Sequence, residues 1–151
     1  MERSAIDGSS LLRETTINAD MATVFAFFTD PERLMRWIGV PAELDPRPGG
    51  LLLLDIQNGF MARGEFKQVV PVSHLAFTWG WEGNRENVPP GSSLVEIDLS
   101  PQNGGTLVRL RHSGLPHDAV PGHTEGWAHY LARLALAATG IDPGPDHGPP
   151  R

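Results

Sequence analysis

Between residues 94 and 113 apolar and polar positions alternate with a period of two. Val95, Ile97 and Leu99 fall on one side with Glu96 and Asp98 on the other, and Val108, Leu110 and His112 oppose Arg109 and Arg111. Such alternation marks strands wet on one face. The intervening Asn103-Gly104 suits a tight hairpin turn, because both residues tolerate positive φ. The run HLAFTWGW (74–81) alternates likewise, setting Leu75, Phe77, Trp79 and Trp81 against Ala76, Thr78 and Gly80. Upstream, LLLLDIQ (51–57) and FMARGEFKQVV (60–70) flank Asn58-Gly59, a second hairpin. SLLRETTI (10–17) reads as a first strand, and the proline-rich PAELDPRPGG as connection with an edge strand at 42–44.

A period near 3.6 appears in two places. Val24, Phe25, Phe27 and Phe28 form the apolar stripe of a short helix capped by Asp20, and Asp30-Pro31 starts another that carries Leu34 and Trp37. Near the C-terminus Trp127, Tyr130, Leu131, Leu134 and Ala138 make one continuous stripe on a longer helix, with Asp118 as its expected cap and Pro121 in its first turn. Glu125, His129 and Arg133 run along the side away from Trp127 and read as a solvated ion-pair row. Residues 1–9 are expected to be a flexible N-terminus. Residues 141–151, with four prolines and almost nothing apolar, are expected to be a flexible tail. The pattern is that of one α+β domain over residues 10–140.

Composition narrows the function classes. The chain of 151 residues has no cysteine, which removes thiolate metal sites and thiol nucleophiles and fits a reducing compartment. The first ten residues lack the apolar run of a signal peptide, and no stretch reaches the roughly 18 apolar residues of a membrane span. A cytoplasmic location without membrane insertion is the expectation. A net charge of -6 gives the wrong field for phosphate backbones, so no nucleic-acid partner is expected. Six histidines without cysteine, and without a His-Glu-x-x-His helix, give no metal-ligand spacing. No metal and no cofactor are expected.

The runs VFAFFTDPERLMRWIG, RPGG, MARGEFKQVVPVSHLAFTWGWE, GGTLVRLRHSGLP and HTEGWAHYLARL occur in this order along the chain. Together they closely resemble the SRPBCC (START-like) superfamily, specifically its activator-of-Hsp-90-ATPase-homologue-like branch. The resemblance implies the helix-grip fold: a curved antiparallel sheet of six or seven strands around a long C-terminal helix, with two short helices after the first strand. It also implies a cavity between sheet and helix that in relatives holds hydrophobic small molecules. It implies no single function, since the superfamily includes carriers, sensors, polyketide cyclases, proteins linked to stress response and co-chaperones. Nor does it supply a catalytic set.

The candidate ligand-binding residues are Phe77, Trp79 and Trp81 on one strand, Trp127 and Tyr130 on the terminal helix, and Trp37 and Met61 at the margins. For each, plain core packing is the alternative. His112, on an apolar face near a strand end, and His123, near the start of the helix, are the candidate polar contacts, with a structural histidine and a solvent-exposed one as the alternatives. Gly122 and Gly126, four apart on the helix, would let a ligand or another backbone approach closely. The favoured function is binding of a small hydrophobic ligand, lipid-, polyketide- or aromatic-like, with no catalytic residue assigned. One alternative is a cyclase, dehydratase or hydrolase on an apolar carbonyl compound with His112 as general acid or base. Another is a co-chaperone-like interaction domain. A homodimer is left open.

Overall fold

The structure is a computed structural model that describes residues 3–7, 9–38, 41–57 and 59–149. Among them eight strands form one antiparallel sheet: β1 (Arg3–Asp7), β2 (Ser10–Ile17), β3 (Ala42–Leu44), β4 (Leu51–Gln57), β5 (Phe60–Val70), β6 (His74–Trp81), β7 (Ser93–Gln102) and β8 (Gly105–Ser113). Their spatial order is β1-β2-β8-β7-β6-β5-β4-β3. Two short helices, α1 (Met21–Thr29) and α2 (Pro31–Leu34), follow β2, and the long α3 (Val120–Ala138) closes the chain against the sheet. This is the helix-grip fold, with β2 to β8 as the curved sheet around α3.

The local chemistry accounts for the element boundaries. Asp20 Oδ1 accepts from the Thr23 amide at 2.7 Å and starts α1. Asp30 accepts from the Glu32 amide at 3.0 Å, with Pro31 filling the first helical position of α2. Asn103 and Gly104 hold φ of 51° and 80°, the left-handed pair that a two-residue hairpin needs. Of the other expected turn, Asn58 lies outside the described residues, and the hairpin is seen through the pairing of β4 with β5. The stripe Trp127, Tyr130, Leu131, Leu134 and Ala138 is buried against the sheet.

Several expectations require correction. Arg3–Asp7, expected to be flexible, pairs along β2 and adds an eighth strand at the sheet edge, where β2 otherwise offers unpaired backbone groups. Met1, Glu2 and Gly8 of that segment lie outside the described residues, as do Pro150 and Arg151 of the tail. Asp118 does not cap α3. A 3-10 turn at His117–Ala119 runs straight into the helix and leaves Ala119 in the cap position. Trp37 lies beyond α2, which ends at Leu34. The polar sides of β7 and β8 do face each other, Glu96 opposite Arg111 and Asp98 opposite Arg109, with Arg109 paired to Glu14 at 2.9 Å and Asp98 to His74 at 2.7 Å.

One close approach shapes the rim of the site. A Cβ on Gly80 would stand 2.1 Å from the Pro89 carbonyl oxygen, so only glycine lets the returning loop lie directly on β6. That contact holds the preceding 3-10 segment, Glu82–Asn87, beside the end of the strand.

Candidate functional site

Where β6 ends against α3, five rings close on one another. Trp79 lies 5.2 Å from Trp127 and 5.5 Å from Trp81 between ring centroids, and His112 lies 5.3 Å from His123. The strand parity that places Trp79 and Trp81 on the concave face does the same for His112 on β8, and the α3 stripe brings Trp127 down onto both.

The hydrogen bonds fix the tautomers. An indole N–H only donates. Trp127 Nε1 therefore donates to His112 Nδ1 at 3.0 Å, leaving the His112 proton on Nε2, 2.8 Å from Ser93 Oγ. Ser93 Oγ in turn donates to the Trp79 carbonyl at 2.6 Å. His123 is the mirror case: Nε2 accepts from Trp81 Nε1 at 3.0 Å, and Nδ1 donates to the Ala119 carbonyl at 2.7 Å. Both imidazoles have both ring nitrogens engaged. His112 is wholly buried, both its ring nitrogens are engaged and no carboxylate bonds it among the described residues, so it is a structural histidine and not an available general base. Trp79 Nε1 is the exception in the cluster, a buried donor without an acceptor among the described residues. Such a group costs about 1–3 kcal/mol.

Burial first, and the adjacent His123 second, hold the His112 pKa well below the ordinary histidine value. The unfolded chain therefore takes up a proton near pH 6.5 that the folded protein refuses. Stability is complete above that pH and is lost as pH falls below it, at about 1.4 kcal/mol per unit until the folded value is reached. Urea unfolding at pH 7 and at pH 5 is expected to show this loss. Equal loss in His112→Gln would show that another group is responsible.

Beside the ring cluster opens a cavity of about 330 Å³. Trp79, Trp81, Trp127 and Tyr130 form its inner wall, Ile38, Ile56 and Phe60 face them, and the Gly122 and Gly126 side of α3 forms the floor. Arg85 and Glu86, on the 3-10 segment held by Gly80, form part of the rim, with the Arg85 guanidinium 3.6 Å above the Phe60 ring. A Cβ on Gly126 would meet nothing within 4 Å, so the absent side chain is space in the cavity.

The remaining wall comes from the segment expected to be a loose tail. Residues 147–149 line the cavity, because Asp146 is clasped to α3: Tyr130 Oη donates to Oδ2 at 2.7 Å and His129 Nε2 meets Oδ1 at 2.8 Å. Arg133 reaches the Pro143 carbonyl at 3.4 Å and the Trp37 carbonyl at 3.1 Å. His129 and Arg133 are thus not a solvated ion-pair row. Burial raises the Asp146 pKa, but hydrogen bonds from His129, the Gly148 amide and Tyr130, with the Arg133 charge, more than offset this and hold it below the ordinary aspartate value. The Tyr130 phenol is pushed far up, by burial first and then by Asp146. It remains a hydrogen-bond donor throughout the physiological range.

Of the residues singled out in the sequence, Trp79, Trp81, His123, Trp127 and Tyr130 line the cavity, and His112 supports it from behind through Trp127. Trp37 is core, donating to the Phe27 carbonyl at 2.9 Å and stacked edge-on with Phe28. Phe77 packs edge-on against Phe66 and borders only a void of about 10 Å³. Met61 points to the other face of β5 from buried Ala62 and is not brought to the cavity. Phe60, Arg85, Glu86 and the 147–149 wall carried no periodic signal. Gly126 did carry one, as a helix-interior glycine. Among the described residues no group of side chains is suited to hold a metal ion, and no helix is long and apolar enough to cross a membrane.

The family model described as activator of Hsp90 ATPase homolog 1-like protein matches residues 18–138. The chain is 52% identical to an AHSA1-like protein of Rhizobium etli, over 97% of this chain and 92% of that one, with a TM-score of 0.73. It is 25% identical to CalU16 from Micromonospora echinospora, covering 93% and 87% of the two chains at a TM-score of 0.74. DynU16, a protein of the dynemicin biosynthetic locus, matches at 24% identity over 93% of this chain and 51% of its own, with a TM-score of 0.78, a likeness of fold. No curated protein shows significant sequence similarity to the chain.

Proposed function

The chain belongs to the activator of Hsp90 ATPase homolog 1-like family, and from that premise we propose that it binds a small hydrophobic molecule, aromatic-, polyketide- or lipid-like, in the cavity between β6, α3 and the C-terminal segment. The observation that carries this reading is an open cavity of about 330 Å³ walled by three tryptophans and a tyrosine. Two of the indole N–H groups and the phenol are already bonded to protein, so a guest meets mainly ring faces. Aromatic faces give large contact area with little side-chain entropy to lose. A guest burying roughly 300 Å² of apolar surface gains about 7 kcal/mol before the cost of immobilisation. Before that cost the gain corresponds to a Kd on the order of 10 μM, and the cost weakens it, so tight binding would draw on the polar rim at Arg85 and Glu86.

Mass spectrometry of the freshly purified protein under native conditions should detect bound apolar guests. Titration with phenylnaphthylamine should quench tryptophan fluorescence saturably. A protein that shows neither carried guest nor saturable quenching does not have this function.

A further inference from the structure

The C-terminal segment is ordered against α3 with almost no apolar anchorage of its own. Ile141 is more than half exposed, and the segment is held by the polar contacts of His129, Tyr130 and Arg133 with Asp146 and Pro143. Its local turns are self-made: Asp142 accepts from the Gly144 amide and Asp146 from the Gly148 amide, each at 2.8 Å. Three prolines, Pro143, Pro145 and Pro149, stiffen it, so closing it costs little chain entropy. Gly140, at φ 86°, marks where it leaves α3. A segment so built opens at much lower free energy than the sheet or the helix, whose apolar faces form the core.

We propose that residues 141–149 are a hinged cover on the ligand cavity, held shut by the clasp of His129 and Tyr130 on Asp146 and hinged at Gly140. This rests on the ligand-binding reading above and adds a route: release of the clasp widens the cavity mouth past His147, Gly148 and Pro149 and so speeds entry and exit of guests, while the sheet and α3 stay in place. The cover completes one wall of the cavity and is not part of the ring cluster, so it can move without breaking any bond to His112 or His123. Tyr130 belongs to both the cavity wall and the clasp, which places a guest in contact with the residue that holds the cover.

The test is stopped-flow mixing of phenylnaphthylamine with the wild-type chain, with Asp146→Ala, and with a chain ending at Gly140. Both variants should associate and dissociate faster by about tenfold or more, as expected for losing a charge-assisted hydrogen bond from the closed state. Hydrogen exchange should show residues 141–149 losing protection in Asp146→Ala while α3 keeps its own. Unchanged rates in both variants, with binding intact, would overturn the cover and leave the cavity reading standing. Absence of binding in the wild type would overturn both. Loss of α3 protection in Asp146→Ala would show the segment to be structural support and would likewise overturn the cover.

Discussion

Gly126→Phe is expected to abolish probe binding, raising Kd about a hundredfold or more, without lowering the unfolding midpoint. The affinity change amounts to about 2.7 kcal/mol. A Cβ at this position meets nothing within 4 Å and the residue lines the cavity, so the ring would extend into the space a guest would occupy. Glycine inside a helix is destabilising by roughly 0.5–1 kcal/mol relative to alanine. Placing any good side chain there recovers part of that penalty, and a ring lodged among Trp79, Trp81 and Trp127 would add burial. Few substitutions separate function from folding so cleanly, because most ways of blocking a cavity also strain its walls. Isothermal titration with phenylnaphthylamine and urea unfolding would be read side by side. Undiminished binding by Gly126→Phe would place the ligand site elsewhere.

Trp127→Ala is expected to cost about 3–5 kcal/mol of stability, the range for removing a large buried aromatic. Trp127 is 5% exposed, lies 5.2 Å from Trp79 between ring centroids, and supplies the only donor to His112 Nδ1 among the described residues. It is a wall of the cavity and a beam of the core at once. Trp127→Phe keeps most of the ring area but leaves a buried acceptor without a partner, for about 1–3 kcal/mol. Trp127→Phe with His112→Leu removes the unpaired Nδ1 but also the Nε2–H that Ser93 Oγ accepts, so the two losses should combine less than additively. Calorimetric or urea unfolding of the wild type, Trp127→Phe, His112→Leu and the double variant closes the cycle. A Trp127→Ala cost below about 1 kcal/mol would mean that Trp127 borders solvent-filled space and supports nothing.

The sequence made the grip legible because each of its parts obeys a local rule. Alternation at 74–81, 94–100 and 106–113, the Asn103-Gly104 turn and the caps at Asp20 and Asp30 need no tertiary information, and all are found where that chemistry puts them. Parity likewise put His112 on the buried face. What parity cannot give is partners. That His112 takes its hydrogen bond from Trp127 and His123 takes one from Trp81 follows from where three elements meet, not from spacing along any one of them. The C-terminal segment illustrates the same gap. Its proline- and glycine-rich composition reads as flexible because it has nothing apolar to bury, yet one aspartate, Asp146, meets two donors on α3 and orders it. Arg85 over Phe60 is similar, a contact between a loop and a strand start that no pattern announces.

The most direct test of the cavity account follows the indole N–H resonances of a ¹⁵N-labelled sample during addition of phenylnaphthylamine. Trp79, Trp81 and Trp127 line the cavity, whereas Trp37 is buried core outside its lining, with its N–H on the Phe27 carbonyl. The first three signals should shift saturably and the Trp37 signal should stay in place. Saturable movement of Trp37 alone, or no movement of any of the four, would contradict it.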